Sequence, residues 1–360
     1  MTQSSDNTIL VKAPALKTLV SQIFLQAGSS PRESQLVADH LVEANLRGHD
    51  SHGVGMIPLY ITNLGLGEAV LNVHPTTMRD LETMVVLDGG LGLGQSIAHE
   101  ATELGIKRAQ KHGSCIVALR NSHHIGRIGH WAEQCADAGL VSLHFVNVVA
   151  EPVVAPYGGK VARLVTNPVS IGIPRDNNPP VIVDFATSKL AHGKIRVAYN
   201  KGIDVPEGAL IDAMGNPTSD ASVLFEDPKG ALLPFGDHKG WTLAFACEAL
   251  AGALTGGLTV KGPARRPAVI NNLLSIIVSV DSMGTAPSFF QELDGFIGWV
   301  QSAENGRASS VLLPGDPERA TRSIRLAEGI PVDKMTWRQI TQAAENVGVT
   351  ERALAAALGA

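Results

Sequence analysis

A chain of 360 residues, 44% hydrophobic and 18% charged, can bury a large core and exceeds what one core usually holds, so subdomains are expected. A net charge near −5 leaves no electrostatic footprint for nucleic acid or for an anionic membrane surface. The three cysteines are widely spaced in apolar segments, which is cytoplasmic usage and fits neither a disulfide framework nor a zinc site.

Residues 1–14 lack the charged and apolar regions of a signal peptide. Helical periodicity covers 14–28 and 31–47, with Ser30 as cap and Pro31 at the first position of the second helix. The loop that follows reads His49-Asp-Ser-His-Gly-Val-Gly55, and Pro58 then opens a short helix to about Gly67. Asp50, Ser51 and His52 invite a hydrolase triad, although neighbours in one loop rarely face each other as a triad requires. The other reading is an acid/base histidine supported by serine.

Thr83–Asp88 reads as a strand, 89–94 as a glycine-rich turn and Ser96–His112 as a helix, the outline of a dinucleotide site. Yet the glycines fall at 89, 90, 92 and 94, so the G-x-G-x-x-G spacing is absent, and no acidic residue ends a second strand downstream. The turn is read as close helix–strand packing, and no Rossmann domain is predicted.

Cys115–Leu119 is an apolar strand, and the stretch Asn121–Trp131 leads from it into a helix ended by Gly139. Chemistry in α/β folds collects at such junctions, because helix N-termini offer free N–H groups. This one carries His123, His124, Arg127 and His130. Histidine moves protons near neutral pH, and arginine offers a fork for carboxylates. The bland alternative is a polar loop with one core histidine.

Strands follow at 140–146, 166–174 and 180–188, the last carrying Asp184 near its end and running into a helix over Lys189–Tyr199. Such an aspartate either binds ribose hydroxyls or caps a helix. Residues 200–238 are rich in Gly, Pro and Asp, include a hairpin-like Asp212–Pro217, and are expected to lie over the site. Lys239, flanked by Gly240, either reaches an anionic ligand or is an exposed loop charge. The apolar run Trp241–Val260 contains Glu248 and reads as a buried helix rather than a membrane span. A late strand at 272–280 and helices near 287–302, 316–328, 336–346 and 350–358 complete the chain. Three parts are expected: a helical segment 1–80, an α/β region 81–280 for cofactor and substrate, and a helical segment 281–360.

Seven blocks together resemble one family. They are Asp50-Ser-His-Gly53, Ser122-His-His-Ile-Gly126, Val154-Ala-Pro-Tyr-Gly-Gly159, Thr166-Asn-Pro168, Val183-Asp-Phe-Ala-Thr-Ser188, His238-Lys-Gly240 and Leu313-Pro-Gly315. They are similar to the malate/L-lactate dehydrogenase family that lacks a Rossmann fold, which includes ureidoglycolate and sulfolactate dehydrogenases. The resemblance implies a mixed α/β fold with a discontinuous cofactor domain, a cytoplasmic homodimer, and hydride exchange between NAD or NADP and a 2-oxo acid. It also implies that His52, backed by Ser51, donates the proton, with His124 as the second active-site histidine. Thr166 matches a substrate contact, and Asp184, Phe185, Ala186 and Lys239 match cofactor contacts.

One position departs from the family, which commonly has an arginine where this chain has Met56. Arg127 is therefore expected to hold the substrate carboxylate, with Met56 and His123 lining the substrate pocket. No metal is required, because an imidazolium can itself polarise the carbonyl. Two alternatives remain: reduction of a cyclic imino acid, and a metal-dependent hydrolase using His49, His52, His123 and His124.

Overall fold

The computed structural model describes residues 8–261, 268–303 and 311–358. Strand β1 (Thr8–Val11) precedes helices α1 (Ala13–Gln26) and α2 (Pro31–Leu46), and two 3-10 turns (Asp50–His52 and Val54–Met56) lead into α3 (Ile57–Gly65). Next come β2 (Thr76–Leu81), β3 (Met84–Asp88), α4 (Gly94–His112), β4 (Ser114–His123), α5 (Gly129–Asp137) and β5 (Leu140–Val149). They are followed by β6 (Val169–Ile173), β7 (Val181–Phe185), α6 (His192–Lys201), the short strands β8 (Leu210–Ile211), β9 (Pro217–Thr218) and β10 (Ala231–Leu232), and α7 (His238–Cys247). The chain closes with β11 (Ile270–Ser279), α8 (Ala286–Gln301), α9 (Asp316–Glu328), β12 (Ile330–Asp333), α10 (Lys334–Asn346) and α11 (Glu351–Ala357).

Seven strands form one sheet in the order β2-β3-β4-β11-β5-β6-β7. Within it β3 and β4 run parallel, joined through α4, while every other neighbouring pair is antiparallel. This is the mixed, non-Rossmann α/β architecture expected from the sequence. The central strands β4, β11 and β5 are apolar because they are buried, and Val117, Leu273 and Ile277 pack with Ile97 and Ala101 of α4 and Trp131 of α5. Each such aliphatic side chain contributes about 1.5–3 kcal/mol on burial.

The packing regroups the segments expected at 1–80 and 281–360. Strand β1 pairs with β12, Val11 opposite Ile330. Leu16, Phe24, Leu41 and Tyr60 then share one core with Trp337 and Ile340. Neither end can cover the apolar stripes of its own helices, so each supplies the other's second layer. Helix α8 goes elsewhere, placing Ile297 against Val181 at the β7 edge of the large sheet.

The excursion after α6 forms a small sheet in the order β10-β8-β9. Its β8–β9 pairing confirms the hairpin, and the excursion packs Leu210 and Leu224 with Ile195 of α6. The long apolar helix is shorter than expected, α7 passing at Glu248 into a π-helical turn, Glu248–Ala253. Buried Glu248 accepts hydrogen bonds from Asn147, Asn167 and the Val260 N–H, so this turn is bolted to the loop carrying Thr166.

Candidate active site

The 3-10 turn that carries His52 is held from two elements. Asn45 of α2 accepts the Val54 N–H at 2.7 Å and donates to Asp50 Oδ1 at 2.6 Å. Arg325 of α9 grips both oxygens of Asp50, at 2.6 and 3.0 Å. A bidentate guanidinium pair of this kind fixes geometry as well as charge. Asp50 is thereby a structural clamp, and the hydrolase triad of Asp50, Ser51 and His52 is not assembled. Ser51 lies against α6, where a Cβ on Gly193 would come within 2.5 Å of the Ser51 Cβ.

The glycine-rich turn explains how His124 is presented. A Cβ on Gly94, the first residue of α4, would stand 2.2 Å from the His124 carbonyl oxygen, so only glycine lets this helix start against the end of β4. The same approach brings Gln95 and α3 to the histidine. His124 Nε2 lies 3.2 Å from His52 Nδ1, and the two rings are nearly parallel, at 9°. Tyr60 Oη lies 2.5 Å from His124 Nδ1, and Gln95 Nε2 donates to Tyr60 Oη at 2.8 Å. Tyr60, Gln95 and His124 are buried, whereas His52 is half-buried.

Both ring nitrogens of His124 are thus engaged inside the protein, and His52 stands at the outer end of the chain. The ring that backs His52 is that of His124. Burial, then His49 and Arg127, brings the His52 pKa down to about 4. Burial, followed by His52 and His123, puts His124 well below the usual histidine value. Burial raises the Tyr60 hydroxyl, so it keeps its proton. His123 turns away to Asn63, 2.9 Å from its Nε2, and burial lowers it to about 4. This is a buried position whose ring partner is Asn63 and not the dyad.

Arg127 does not offer a free fork. Its guanidinium is 2% exposed, 2.5 Å from Glu133 and 3.6 Å from Asp184, and Glu133 also meets Arg47 at 3.1 Å. A cation neutralised by two carboxylates and closed off from solvent is poorly placed to anchor a third. Asp184 also accepts the Gly129 N–H at 3.0 Å, so it caps α5 while it faces Arg127. Met56 is half-buried and packs on the core shared by the two chain ends.

The expected metal ligands do not converge: His49 pairs with Glu318 at 3.5 Å, His123 with Asn63 and His52 with His124. Among the described residues no group of three or more such side chains could hold an ion. Nor is any helix among them long and apolar enough to cross a membrane.

The malate/L-lactate dehydrogenase family profile matches residues 11–341. The chain belongs to the malate/L-lactate dehydrogenase family. It is 46% identical to hydroxycarboxylate dehydrogenase B of Escherichia coli over 96% of each chain. The fold is similar to that of sulfolactate dehydrogenase from Methanocaldococcus jannaschii, with a TM-score of 0.85 and 31% identity over 95% of this chain and 98% of that one. It is also similar to Δ1-piperideine-2-carboxylate reductase from Pseudomonas syringae, with a TM-score of 0.81 and 30% identity over 93% and 99% of the two chains. Membership of this dehydrogenase family makes the protein an oxidoreductase.

The residues matched to cofactor contacts in the malate/L-lactate dehydrogenase family fall together at the end of β7 and the start of α7. The Phe235 N–H donates to the Thr187 carbonyl at 3.0 Å, and the rings of Phe185 and Phe235 meet edge to face at 5.4 Å. Phe185 is exposed, Ala186 half-buried, and Lys239 exposed in the first turn of α7. An open cation at a helix N-terminus beside an exposed ring has the chemistry to receive a pyrophosphate and a flat heterocycle. Thr166 closes the group, its carbonyl accepting from both the N–H and the hydroxyl of Thr187.

Tyr60 and Gln95 were not found from the sequence. A tyrosine in a short apolar helix reads as core, and a glutamine after a glycine run reads as surface. The one available signal was a hydroxyl inside an apolar segment, which needs a partner when buried.

Proposed function

We propose that the protein interconverts 2-oxo and 2-hydroxy acids with NAD(P)H, His52 acting as acid in reduction and base in oxidation. The observation that supports this most directly is the ordered chain Gln95–Tyr60–His124–His52, which leaves His52 alone with a nitrogen for the substrate oxygen. Phe185, Ala186 and Lys239 would hold the dinucleotide, which supplies the hydride when bound. Asp184 would sit behind them as a support for Arg127 and α5, and Thr166 would face the substrate. His52 protonates the oxygen formed at C2, and its ring is kept in place by His124. The first turn of α6 packs against Ser51, beside the turn that carries His52, and it would meet the substrate carboxylate.

The test is a panel of 2-oxo acids with NADH and NADPH, followed by loss of absorbance near 340 nm in the presence of EDTA. Turnover of at least one 2-oxo acid is expected, and no turnover across the panel would overturn the reading. Replacing Lys239 with Ala should raise the KM for the dinucleotide with kcat little changed. An unaltered KM would leave Lys239 an ordinary surface charge. A second reading, reduction of a cyclic imino acid, is favoured by the likeness to the piperideine-carboxylate reductase. Including cyclic imines in the panel separates the two.

A further inference from the structure

An imidazole can work as a base only if it turns a lone pair to the substrate, and as a neutral donor only if it turns an N–H. Which one His52 presents is decided three residues away. A hydroxyl has one proton, and Tyr60 Oη already accepts from Gln95, so its proton goes to the remaining partner, His124 Nδ1. His124 must then carry its proton on Nε2 and donate to His52 Nδ1, which leaves the His52 proton on Nε2, facing outward. The Gln95 Oε1 atom is buried and has no partner among the described residues.

We propose that Tyr60 and Gln95 are positioning residues that set, through His124, whether His52 presents a proton or a lone pair to the substrate. An amide carries both a donor and an acceptor, so turning it reverses the chain. Oε1 then accepts the Tyr60 proton, Tyr60 Oη accepts from His124 Nδ1, and His124 Nε2 accepts from His52 Nδ1. His52 Nε2 is left with the lone pair that removes the hydroxyl proton of a 2-hydroxy acid. When that proton is taken, His52 becomes imidazolium with the rest of the chain unmoved, and in reduction the same imidazolium returns the proton from Nε2, so neither tyrosinate nor imidazolate is formed. The charged and titratable groups around the dyad are His49 and Arg127 beside His52, His123 beside His124, and His40, none of which bonds to either ring.

This rests on the oxidoreductase reading above, but its first test needs no substrate. Two-bond 15N–1H spectra of 15N-histidine-labelled protein at pH 7–8 report the tautomer of each imidazole. His52 and His124 should share one tautomer, Nε2–H. Gln95→Glu supplies only acceptors and should turn both to Nδ1–H, while Tyr60→Phe should release both to a mixture. The second test is kinetic: Tyr60→Phe should lower kcat by about 10- to 100-fold with the KM for the 2-oxo acid within about twofold. Tyr60→Phe keeps the ring that packs on Phe24 and His123, so it stays informative if Gln95→Glu does not fold. Tautomers that ignore both substitutions would overturn the proposal whatever the substrate proves to be. Altered tautomers in a protein that turns over nothing would uphold it and sink the activity.

Discussion

Burial holds His52 near a pKa of about 4, so at neutral pH the free enzyme carries this group as neutral imidazole. Neutral imidazole is the base needed for hydroxy-acid oxidation, whereas imidazolium is the acid needed for reduction. The kcat/KM for oxidation should therefore rise through pH 4 and stay level above about pH 5. For reduction it should fall about tenfold per pH unit over the same range, because kcat/KM reports the free enzyme. A reduction profile that is flat from pH 5 to 8 would show that the dyad holds its proton before substrate arrives. His52→Ala should lower kcat by about 10²- to 10⁴-fold with dinucleotide affinity near wild type. Arg127 belongs to another account. Arg127→Met removes the cation between Glu133 and Asp184, which are 12% and 11% exposed, and leaves Asp184 without its guanidinium while Glu133 keeps Arg47. Breaking one side of a buried charge group costs about 3–5 kcal/mol, so a fall in Tm of several degrees is expected. An unchanged Tm with a raised substrate KM would restore Arg127 as the carboxylate fork.

Between elements, the site depends on close approaches that glycine allows. A Cβ at Gly193 meets the Ser51 Cβ at 2.5 Å, a contact the backbone of α6 or of the 3-10 turn must yield to relieve. Gly193→Ala should leave the fold intact but lower kcat/KM by about 10- to 100-fold, since displacements near 1 Å are enough to spoil alignment. Steady-state kinetics beside a circular dichroism melt measures both, and unchanged kinetics would remove α6 from the site. The elements themselves were largely readable in the sequence. The helices now seen as α1, α2, α4, α9 and α10 were placed to within two residues by their periodicity and caps. Strands β1 and β12 were missed because each has four residues and its pairing spans most of the chain, out of reach of any local pattern. Strand β2 was missed because all six of its residues are exposed, which leaves no alternation to detect. His52 and His124 were legible as histidines at element ends. The partners of Arg127 were not, because Asp184 arrives from β7 and Glu133 from the next helix, and neither contact follows helical spacing from position 127.

Across the whole molecule, burial sets a pH limit that no single site reveals. His40, His52, His123, His124, His130 and His144 all have pKa values lowered chiefly by burial, His52 and His123 to about 4, His130 and His144 to about 3. They are spread over α2, the turn that carries His52, the end of β4 and the residue after it, the start of α5, and β5, where His144 sits between the hydroxyls of Ser142 and Ser275. In the unfolded chain each would titrate near the ordinary value of about 6.5. Above that pH neither state takes up the proton, and the stability associated with keeping these rings neutral is fully present. As pH falls below 6.5 the unfolded chain binds protons that the folded one refuses, so stability is lost down to the folded values near 4 and 3. Each fully buried ring then costs about 1.4 kcal/mol per pH unit. If only half of the group contributed in full, about 4 kcal/mol would go with each unit, against a typical total of about 5–15 kcal/mol. The protein should therefore unfold cooperatively on acidification, with a midpoint between about pH 4 and 5.5 and an uptake of at least about three protons, read from the slope of ellipticity against pH. Native ellipticity persisting at pH 3.5 would overturn this acid limit.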